Sequence, residues 1–451
     1  MTFYVLPGAK SPLPQKEKRP PFMLKFVGFW FRVPMSVRLL GGFLLGTFAG
    51  LAGNIYAREQ TLRAAETLEP FGTIMIAMLK MVVVPIIFFS LIAGAAALPL
   101  KKSGRVGTIV VLWYLVTSVF AAVFGISMAM LVNPTISVES MDIKNPAPMT
   151  GGAVPSLARF LEGLFCNPFE ALSSGNFLAI VIFAVIFGLA ARVLLDSEKS
   201  AEKTAKAIET FLSCVHACGS VTFKLIDWIM EYFPFGIFIL TFVNFARSGA
   251  ILFEPYLNVI LSVTIGLLAM IFLIYPLLLF CVCRENPYRV LAKFREPMFT
   301  AFTTRSSFAT LPVSIKTLNK IGVSPVLTSF SLPLGCTVNM DGACVLLPAY
   351  AILAANAFDI TITAANLAII LVTVLFASIG AGGIPNGSLF LLFIILKNIG
   401  LHDDQVSFVV ALAFGIDPLI DMVRTTCNCT GDMVCTYAIA KRVGMFRPPE
   451  G

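Results

Sequence analysis

The 451-residue chain is 57% hydrophobic and only 13% charged, and its mean hydropathy is +0.88. Apolar runs recur along almost the whole sequence, and many reach the roughly 20 residues that span a bilayer as a helix. This composition excludes a soluble globular protein and indicates a polytopic membrane protein. The net charge of +8 comes from basic residues at the ends of apolar runs. Membrane topology explains these residues, so no nucleic-acid partner is expected.

Residues 1–33 form a basic tail before the first long apolar run. The basic stretch is too long for a cleavable signal peptide, and no small-residue cleavage site follows it. Later loops around Lys101, Lys199, Arg289 and Lys441 are also basic. By the positive-inside rule these loops and both termini are predicted to be cytoplasmic. The protein is therefore predicted to be an integral, multi-pass protein of the plasma membrane, which in a bacterium is the inner membrane.

Six apolar runs before Pro297 are predicted to be membrane-spanning helices. The loop between the third and fourth runs, residues 133–167, is rich in Pro, Gly and Ser and has few basic residues, which predicts an outside loop. The predicted spans are residues 34–56, 70–98, 106–132, 177–195, 207–232 and 259–282.

After Pro297 two hydrophobic segments are interrupted by polar or flexible residues. The first contains FTTRSSFATLP, which starts at Phe302, and the second contains SIGAGGIPNGS, which starts at Ser378. Each is followed by a long helix with polar residues at its centre, which indicates two copies of one unit. Paired interrupted segments point to the binding site of a secondary transporter, because half-helix ends meet there near the membrane midplane.

The stretch GIDPLIDMVRTTCNCTGD, residues 415–432, concentrates charge in a chain that has little of it. On a helix with about 100° per residue, a single arc of about 100° holds Asp417, Asp421, Arg424, Thr425, Asn428 and Asp432. We call these six residues the polar stripe. Each unpaired charge at the centre of a membrane costs about 2.5–3.5 kcal/mol. The stripe is therefore predicted to be paired, hydrated or bound to ligand, and it cannot face lipid.

The residue types in the polar stripe suit an acidic amino acid and a cation. The planar fork of Arg424 matches a carboxylate, and Asp421, one turn away, matches an ammonium group. Oxygen ligands of the kind that hold desolvated cations come from Asp432, Asn428, Asn339 and Asp341. Such ligands fit sodium better than a proton.

The sequence shows no nucleotide-hydrolysing domain that could drive transport. GAGG at Gly380 to Gly383 follows no predicted strand and has no Walker Lys, so nucleotide binding is not expected. The chain is predicted to be a carrier rather than an enzyme, with sodium as the coupling ion and no cofactor.

At these motifs the chain resembles the dicarboxylate/amino acid:cation symporter family, which has the glutamate transporter fold. TRSSFATLP is similar to the first re-entrant hairpin of that family, PLGCTVNMDGA to its unwound seventh helix, SIGAGGIPNG to its second hairpin and DPLIDMVRTTCNCTGD to its eighth helix. The resemblance runs over about residues 37–441. It implies an all-α polytopic membrane protein with eight transmembrane helices, two re-entrant helical hairpins and inverted repeats.

The resemblance also implies roles for individual positions. Arg424 would hold the side-chain carboxylate of the substrate and Asp421 its amino group, with Asp417 and Arg305 as supporting residues. The other implied substrate contacts are Ser306, Ser307, Met340, Ile384, Thr425 and Asn428. The implied sodium ligands, some through backbone carbonyls, are Tyr114, Thr117, Ser118, Gly335, Thr337, Asn339, Met340, Asp341, Ser378, Ile379, Ala381, Asn428 and Asp432.

Three positions depart from the pattern of the family. Ala343 stands where a Thr usually assists carboxylate binding, and Phe308 replaces a Ser or Gly of the first hairpin. These two substitutions leave open which acid is bound. Leu347 occupies the position where proton-coupled members carry Glu, so proton symport through that group is not expected.

The resemblance predicts a homotrimer in which a transport domain moves against a scaffold. The predicted parts are a cytoplasmic tail at 1–33, scaffold helices 1 and 2 at 34–105, helix 3 of the transport domain at 106–132, an outside loop with scaffold helices 4 and 5 at 133–250, the transport core at 251–441, and a second tail at 442–451.

The leading interpretation is a sodium-coupled symporter of glutamate or aspartate that works by alternating access. The alternatives are a proton- or sodium-coupled carrier of neutral amino acids or C4-dicarboxylates on the same fold, and a substrate-gated channel. A neutral carrier would not need Arg424, and a carrier of dicarboxylates alone would not need Asp421.

Overall fold

The computed structural model describes residues 33–96, 104–135, 165–174, 177–197, 202–380 and 387–447. These residues are almost all helical and contain no β-strand, as the predicted fold class requires. The α-helices are α1 Met35–Tyr56, α2 Arg58–Ala96, α3 Gly104–Val132, α4 Pro168–Ser174, α5 Phe177–Asp196, α6 Glu202–Ser248, α7 Phe253–Ala269, α8 Tyr275–Cys283, α9 Pro287–Lys293, α10 Arg295–Thr304, α11 Ser307–Lys320, α12 Pro325–Val338, α13 Asp341–Ala357, α14 Ala364–Gly380, α15 Gly387–Asn398 and α16 Asp403–Arg442.

The protein crosses a membrane several times. Among the described residues, 7 helical stretches are long and apolar enough to span a bilayer, and one of them, Glu202–Cys283, has 82 residues, which exceeds a single crossing. All six predicted spans lie in helices of the structure, apart from Pro34, which precedes α1, and residues 97–98, which lie outside the described residues. The tail at 1–33, apart from its last residue, and most of the predicted loop at 133–167 lie outside the described residues.

The predicted span at 207–232 was too short, because α6 continues through Pro234 to Ser248. Similarly, α2 begins at Arg58 and contains both Pro70 and Pro85. Proline is tolerated inside membrane helices because neighbouring helices and small local adjustments satisfy the backbone groups that it frees. A proline in an apolar run of this chain therefore does not mark the end of a helix.

Helix α1 packs closely on α6 along a row of glycines. Gly42, Gly46 and Gly50 follow one another at four-residue spacing, so they share one face of the helix. A Cβ at Gly42 would lie 2.5 Å from the carbonyl oxygen of Pro234, and one at Gly50 would lie 2.6 Å from that of Phe242. Small residues at this spacing let two membrane helices approach until their backbones touch.

We expect Gly46→Ala to loosen this contact, because the added Cβ would overlap the carbonyl oxygen of Phe238. Overpacking of this kind costs about 1–3 kcal/mol, which predicts a lower thermal unfolding midpoint for the purified protein. Gly41→Ala is the matched control, since a Cβ there meets nothing within 4 Å. Equal midpoints for the two variants would contradict the close approach of α1 and α6.

The helices form two packing groups. Helices α1, α2, α5 and α6 pack mainly on one another, whereas α3 packs along α13 and also contacts α16. A Cβ at Gly125 of α3 would lie 2.7 Å from the Cα of Val345 in α13. Helix α3 therefore packs with the C-terminal half of the chain. The division into a moving domain and a scaffold stays a prediction.

The predicted interruptions correspond to breaks between short helices. Helices α10 and α11 pack as a pair that is broken at Arg305, whose φ is +53°. Helices α14 and α15 form a second pair, and the residues between them, 381–386, lie outside the described residues. Helices α12 and α13 are separated at Asn339 and Met340. Helices that flank these breaks, α10 to α13 and α15, contact α16.

The C-terminal end of α16 is tied to neighbouring loops. Lys441 donates to Glu285 Oε1 at 2.6 Å, and the hydroxyl of Tyr437 donates to Oε2 at 2.8 Å. Burial alone would raise the pKa of the Glu285 carboxyl, but the hydrogen bonds from Lys441 and Tyr437 outweigh it and hold that pKa below its ordinary value. Backbone hydrogen bonds also join residues 445–447 to residues 322–324 after α11. These contacts fix α16 against the base of the first hairpin.

Candidate substrate and cation site

The polar stripe of α16 lies in the interior of the protein. All of its members are at most 5% exposed, and Arg424 is only 2% exposed. Helices of the C-terminal half surround α16, so the stripe faces protein rather than lipid, as its charge predicted. The members are Asp417, Asp421, Arg424, Thr425, Asn428 and Asp432.

Arg424 is held by two carboxylates of its own helix. Its Nη1 donates to Asp417 Oδ1 at 2.8 Å, and its Nη2 donates to Asp421 Oδ1 at 2.5 Å. The hydroxyl of Thr425 donates to the same oxygen of Asp421 at 3.3 Å. Two carboxylates thus surround one guanidinium, so Asp417, Asp421 and Arg424 together carry one excess negative charge.

Each of these two carboxylates keeps one oxygen without a partner. Asp417 Oδ2 and Asp421 Oδ2 are buried and accept no hydrogen bond from the described residues. An unsatisfied buried acceptor costs about 1–3 kcal/mol, and more when it is charged. A ligand that brings a hydrogen-bond donor is therefore favoured here, and the ammonium group of an amino acid is such a donor.

The break between α12 and α13 brings polar groups against α16. Gly342 at the start of α13 donates its N–H to Asn428 Oδ1 at 2.7 Å, and Asn428 Nδ2 lies 3.2 Å from Met340 Sδ. A Cβ at Gly342 would lie 2.9 Å from Arg424 Cγ, so a residue without a side chain is needed for this approach. Gly342 is not among the predicted site residues, although the motif NMDGA contains it.

Asn339 connects two groups of predicted sodium ligands. Its Nδ2 donates to Asp432 Oδ1 at 3.0 Å, and its Oδ1 accepts the hydroxyl of Thr117 at 3.0 Å. Gly335 lies directly against the Asp432 carboxylate, because a Cβ there would overlap Oδ1. These oxygen atoms are of the type that holds a desolvated alkali cation, and the fold brings them together from α3, α12 and α16.

Asp341 begins α13 and is fully buried. Its Oδ1 accepts the hydroxyl of Ser118 at 3.2 Å, and its Oδ2 accepts that of Tyr275 at 2.9 Å. Ser118 is a predicted ligand, whereas Tyr275 is not predicted. Tyr275 follows the π-helical turn Met270–Ile274, and such turns are frequent at functional sites. No sequence motif predicts that turn.

Tyr114 reaches the same region from α3. Its carbonyl oxygen, the implied sodium ligand, accepts the hydroxyl of Thr117 at 3.1 Å. Its own hydroxyl lies 2.8 Å from that of Ser331, which in turn lies 2.7 Å from that of Thr436. This chain of hydroxyl groups fixes α3 to α12 and α16 beside the predicted ligands.

The tip of the first hairpin brings Arg305 close to the polar stripe. Arg305 is 4% exposed and near enough to Asp417 for their charges to interact. Its Nε and Nη1 find no hydrogen-bond partner in the described part of the chain. Ser306 caps α11 with its side chain, and Ser307 is buried, with its carbonyl accepting the thiol of Cys336 at 3.6 Å. The roles of Arg305, Ser306 and Ser307 toward a substrate stay predictions.

The remaining predicted residues are Thr337 in α12, Ser378 and Ile379 in α14, and two residues between α14 and α15. The hydroxyls of Ser378 and Thr337 each donate to a carbonyl one turn earlier in their own helix, at 2.8 and 2.9 Å. Ile379 lies in the last turn of α14. Ala381 and Ile384 fall outside the described residues, so their contacts with sodium and substrate stay predictions.

The positions that depart from the family pattern have different environments. Ala343 and Leu347 are fully buried in α13, whereas Phe308 is 42% exposed. Phe308 is therefore only partly covered by its neighbours. Ala343, next to Gly342, carries an apolar methyl group rather than a hydroxyl.

Here two pairs of short helices and a broken helix pack around a helix that carries buried ion-pairing residues. Secondary transporters build a binding site inside the membrane from such interrupted helices. The protein is therefore a multi-pass membrane transporter and not an enzyme. The family model for the sodium:dicarboxylate symporter family matches residues 35–442. The chain belongs to this family.

Relatives match over most of the chain. The serine/threonine transporter SstT of Bifidobacterium adolescentis is 31% identical over 401 residues, which cover 88% of this chain and 87% of that protein. The neutral amino acid transporter B(0) of Bos taurus is 31% identical over 431 residues, with 88% and 77% covered. The serine/threonine transporter SstT of Acinetobacter baylyi is 30% identical over 371 residues, with 82% and 89% covered. These names support the neutral alternative better than the acidic substrate that Arg424 and Asp421 predict.

Proposed function

We propose that the chain is a sodium-coupled symporter of amino acids and that small neutral amino acids are its main substrates. The observation that carries this proposal is the cluster at Arg424, where both terminal nitrogens already bind carboxylates and Asp421 Oδ2 has no partner among the described residues. In our proposal the ammonium of the substrate binds Asp421 Oδ2. The substrate carboxylate lies toward Ser306 and Ser307 at the N-terminus of α11, where helix N–H groups favour an anion.

The charge of the cluster supports a neutral rather than an acidic substrate. Asp417, Asp421 and Arg424 together carry one negative charge, and Arg305 nearby brings the local sum to zero. A neutral amino acid leaves this sum unchanged. An acidic amino acid adds a negative charge in a region from which water is excluded, and uncompensated buried charge is strongly unfavourable.

Arg424 favours a second candidate substrate, an acidic amino acid such as glutamate or aspartate. Its guanidinium is buried beside the proposed ammonium site, and a substrate side-chain carboxylate could replace Asp421 on Nη2 because the fork of Arg binds either carboxylate with the same geometry. The two candidates differ in whether Arg424 binds the substrate or only balances the charge of Asp417 and Asp421.

Sodium coupling is supported by the family and by the oxygen ligands that meet around Asn339. The carboxylates of Asp341 and Asp432, with the hydroxyls of Thr117 and Ser118, supply buried oxygen atoms for coupling ions. From the resemblance we further propose alternating access, with the transport core moving against the scaffold, a homotrimeric assembly, and cytoplasmic termini.

Uptake into proteoliposomes across an imposed sodium gradient tests the proposal. We expect labelled serine, threonine and alanine to accumulate faster than aspartate, glutamate or succinate, and replacement of sodium by choline to abolish uptake. Accumulation above the outside concentration separates a carrier from a channel. Preferential uptake of aspartate or glutamate would establish the second candidate, and uptake of succinate alone would refute both.

We expect the double variant Asp417→Asn/Arg424→Cys to keep neutral uptake within about tenfold of the parent protein, a change of about 1.4 kcal/mol. The pair removes one negative and one positive charge, so the net charge beside Asp421 is preserved. Asp421 loses its bond to Arg424, and in the proposed complex the substrate ammonium becomes its counter-ion. Transport of acidic substrates, if the parent protein has any, should disappear. Loss of neutral uptake in a correctly folded double variant would contradict the view that Arg424 only balances charge.

A further inference from the structure

A cavity of about 360 Å³ lies where the hairpin of α10 and α11 faces α6. This volume is within the range of small-molecule sites. None of the polar-stripe residues of α16 lines it. Its polar wall consists of Arg305 on the hairpin side and Asp227 and Glu231 on the α6 side, and its apolar wall includes Met35, Phe223 and Met230.

Arg305 brings unsatisfied hydrogen-bond donors to this cavity. Its side chain is 4% exposed, and Nε and Nη1 have no hydrogen-bond partner among the described residues. The nearby carboxylate of Asp417 interacts with it only electrostatically. A guanidinium has five N–H donors and no acceptor, and its burial without partners is costly. An anionic group in the cavity would supply the missing acceptors.

The opposite wall carries an unmatched negative charge. Asp227 and Glu231 are four residues apart on α6, so they lie on the same face of the helix. Both oxygens of Glu231 already bind Arg38, at 2.6 and 3.4 Å. Asp227 is exposed and forms no ion pair within the described ranges. The cavity therefore presents a guanidinium with unsatisfied N–H donors and, on the other wall, a carboxylate that has no ion-pair partner among the described residues.

We propose that this cavity is a second amino acid site, which binds a free neutral amino acid with its carboxylate on Arg305 and its ammonium on Asp227. A simple anion would face the carboxylate of Asp227, and a simple cation would face the guanidinium of Arg305. A zwitterion satisfies both, and the apolar wall accepts a small aliphatic side chain. No predicted sodium ligand lines the cavity, so binding there is independent of sodium. The proposal does not depend on which substrate the polar stripe binds.

The test uses the full-length protein in nanodiscs, in choline buffer without sodium, and saturation-transfer NMR with alanine as the probe. The parent protein and the Asp421→Asn variant should both bind alanine. Ethylamine, which lacks the carboxylate, and propionate, which lacks the ammonium, should bind at least about tenfold more weakly, because each loses one charge-assisted hydrogen bond. Asp227→Asn and Arg305→Gln should weaken alanine binding by a similar factor.

Glu209→Gln is the matched control, since it removes an exposed carboxylate of α6 remote from the cavity, and it should bind alanine like the parent protein. The proposal is overturned if the parent protein shows no sodium-free binding of alanine, if propionate binds as tightly as alanine, or if Asp227→Asn binds like the parent. Loss of this binding in Asp421→Asn would also overturn it, because the ligand would then occupy the polar stripe. Sodium-driven uptake, measured separately, tests the proposed function and not this site.

Discussion

Uptake of neutral amino acids should fall at least about 30-fold when Asp421 is replaced by Asn. The amide keeps an oxygen for Arg424 but removes the negative charge that the substrate ammonium needs. The loss of one partner of a buried charge pair typically costs about 2–5 kcal/mol, and each 1.4 kcal/mol is about a factor of ten. Because Asp417 still binds Arg424, the guanidinium keeps a counter-ion and the variant should fold. The measurement is the initial rate of sodium-driven serine uptake.

The matched control for Asp421→Asn is Glu254→Gln, which neutralises an exposed carboxylate in the first turn of α7. It should leave uptake within a few-fold of the parent protein. Thermal unfolding of both variants checks that each is folded. Serine uptake at the parent rate in a folded Asp421→Asn variant would mean that the ammonium binds elsewhere.

Much of the fold follows from the sequence because membrane insertion imposes simple constraints. Apolar runs of the right length must be helices, and the spans at 34–56 and 177–195 coincide with α1 and α5 to within a residue or so. The break at Arg305 could be predicted because polar residues interrupt an apolar run there, whereas the break at Asn339 is expected only from the resemblance of PLGCTVNMDGA to an unwound helix. The end of α6 could not, because whether Pro234 ends a helix depends on its neighbours.

The charged residues of the site could be predicted from the sequence, whereas the contacts that depend on how the helices pack could not. A charged stripe inside a membrane must be buried, and the structure confirms this for Asp417 and Asp432. The hydrogen bond from Tyr275 to Asp341 could not be predicted, because Tyr275 lies in an apolar run whose sequence resembles that of any other buried helix. Likewise, the sequence places Arg424 on the same helix face as Asp421, but only the structure shows both of its nitrogens bound to carboxylates.

Gly335→Ala should weaken sodium coupling strongly while leaving the helices in place. The added Cβ would overlap the carboxylate of Asp432, and this carboxylate cannot move away freely because it is buried and bound to Asn339 at 3.0 Å. Overpacking typically costs about 1–3 kcal/mol, which corresponds to roughly 5- to 150-fold in an equilibrium constant. We therefore expect the sodium concentration at half-maximal uptake to rise by a factor in this range.

The comparison that isolates the effect of Gly335→Ala is Gly94→Ala, where the same methyl group in a helix meets nothing within 4 Å. If a cation binds at Asp432, Gly335→Ala should reach the maximal uptake rate of the parent protein at high sodium, because the substrate contacts at Asp421 are unchanged. A reduced maximal rate with an unchanged sodium dependence would place the defect in folding or in movement of α12. That outcome would remove Asp432 from the cation site and leave Asp341, with its hydroxyl donors Ser118 and Tyr275, as the carboxylate that couples sodium to transport.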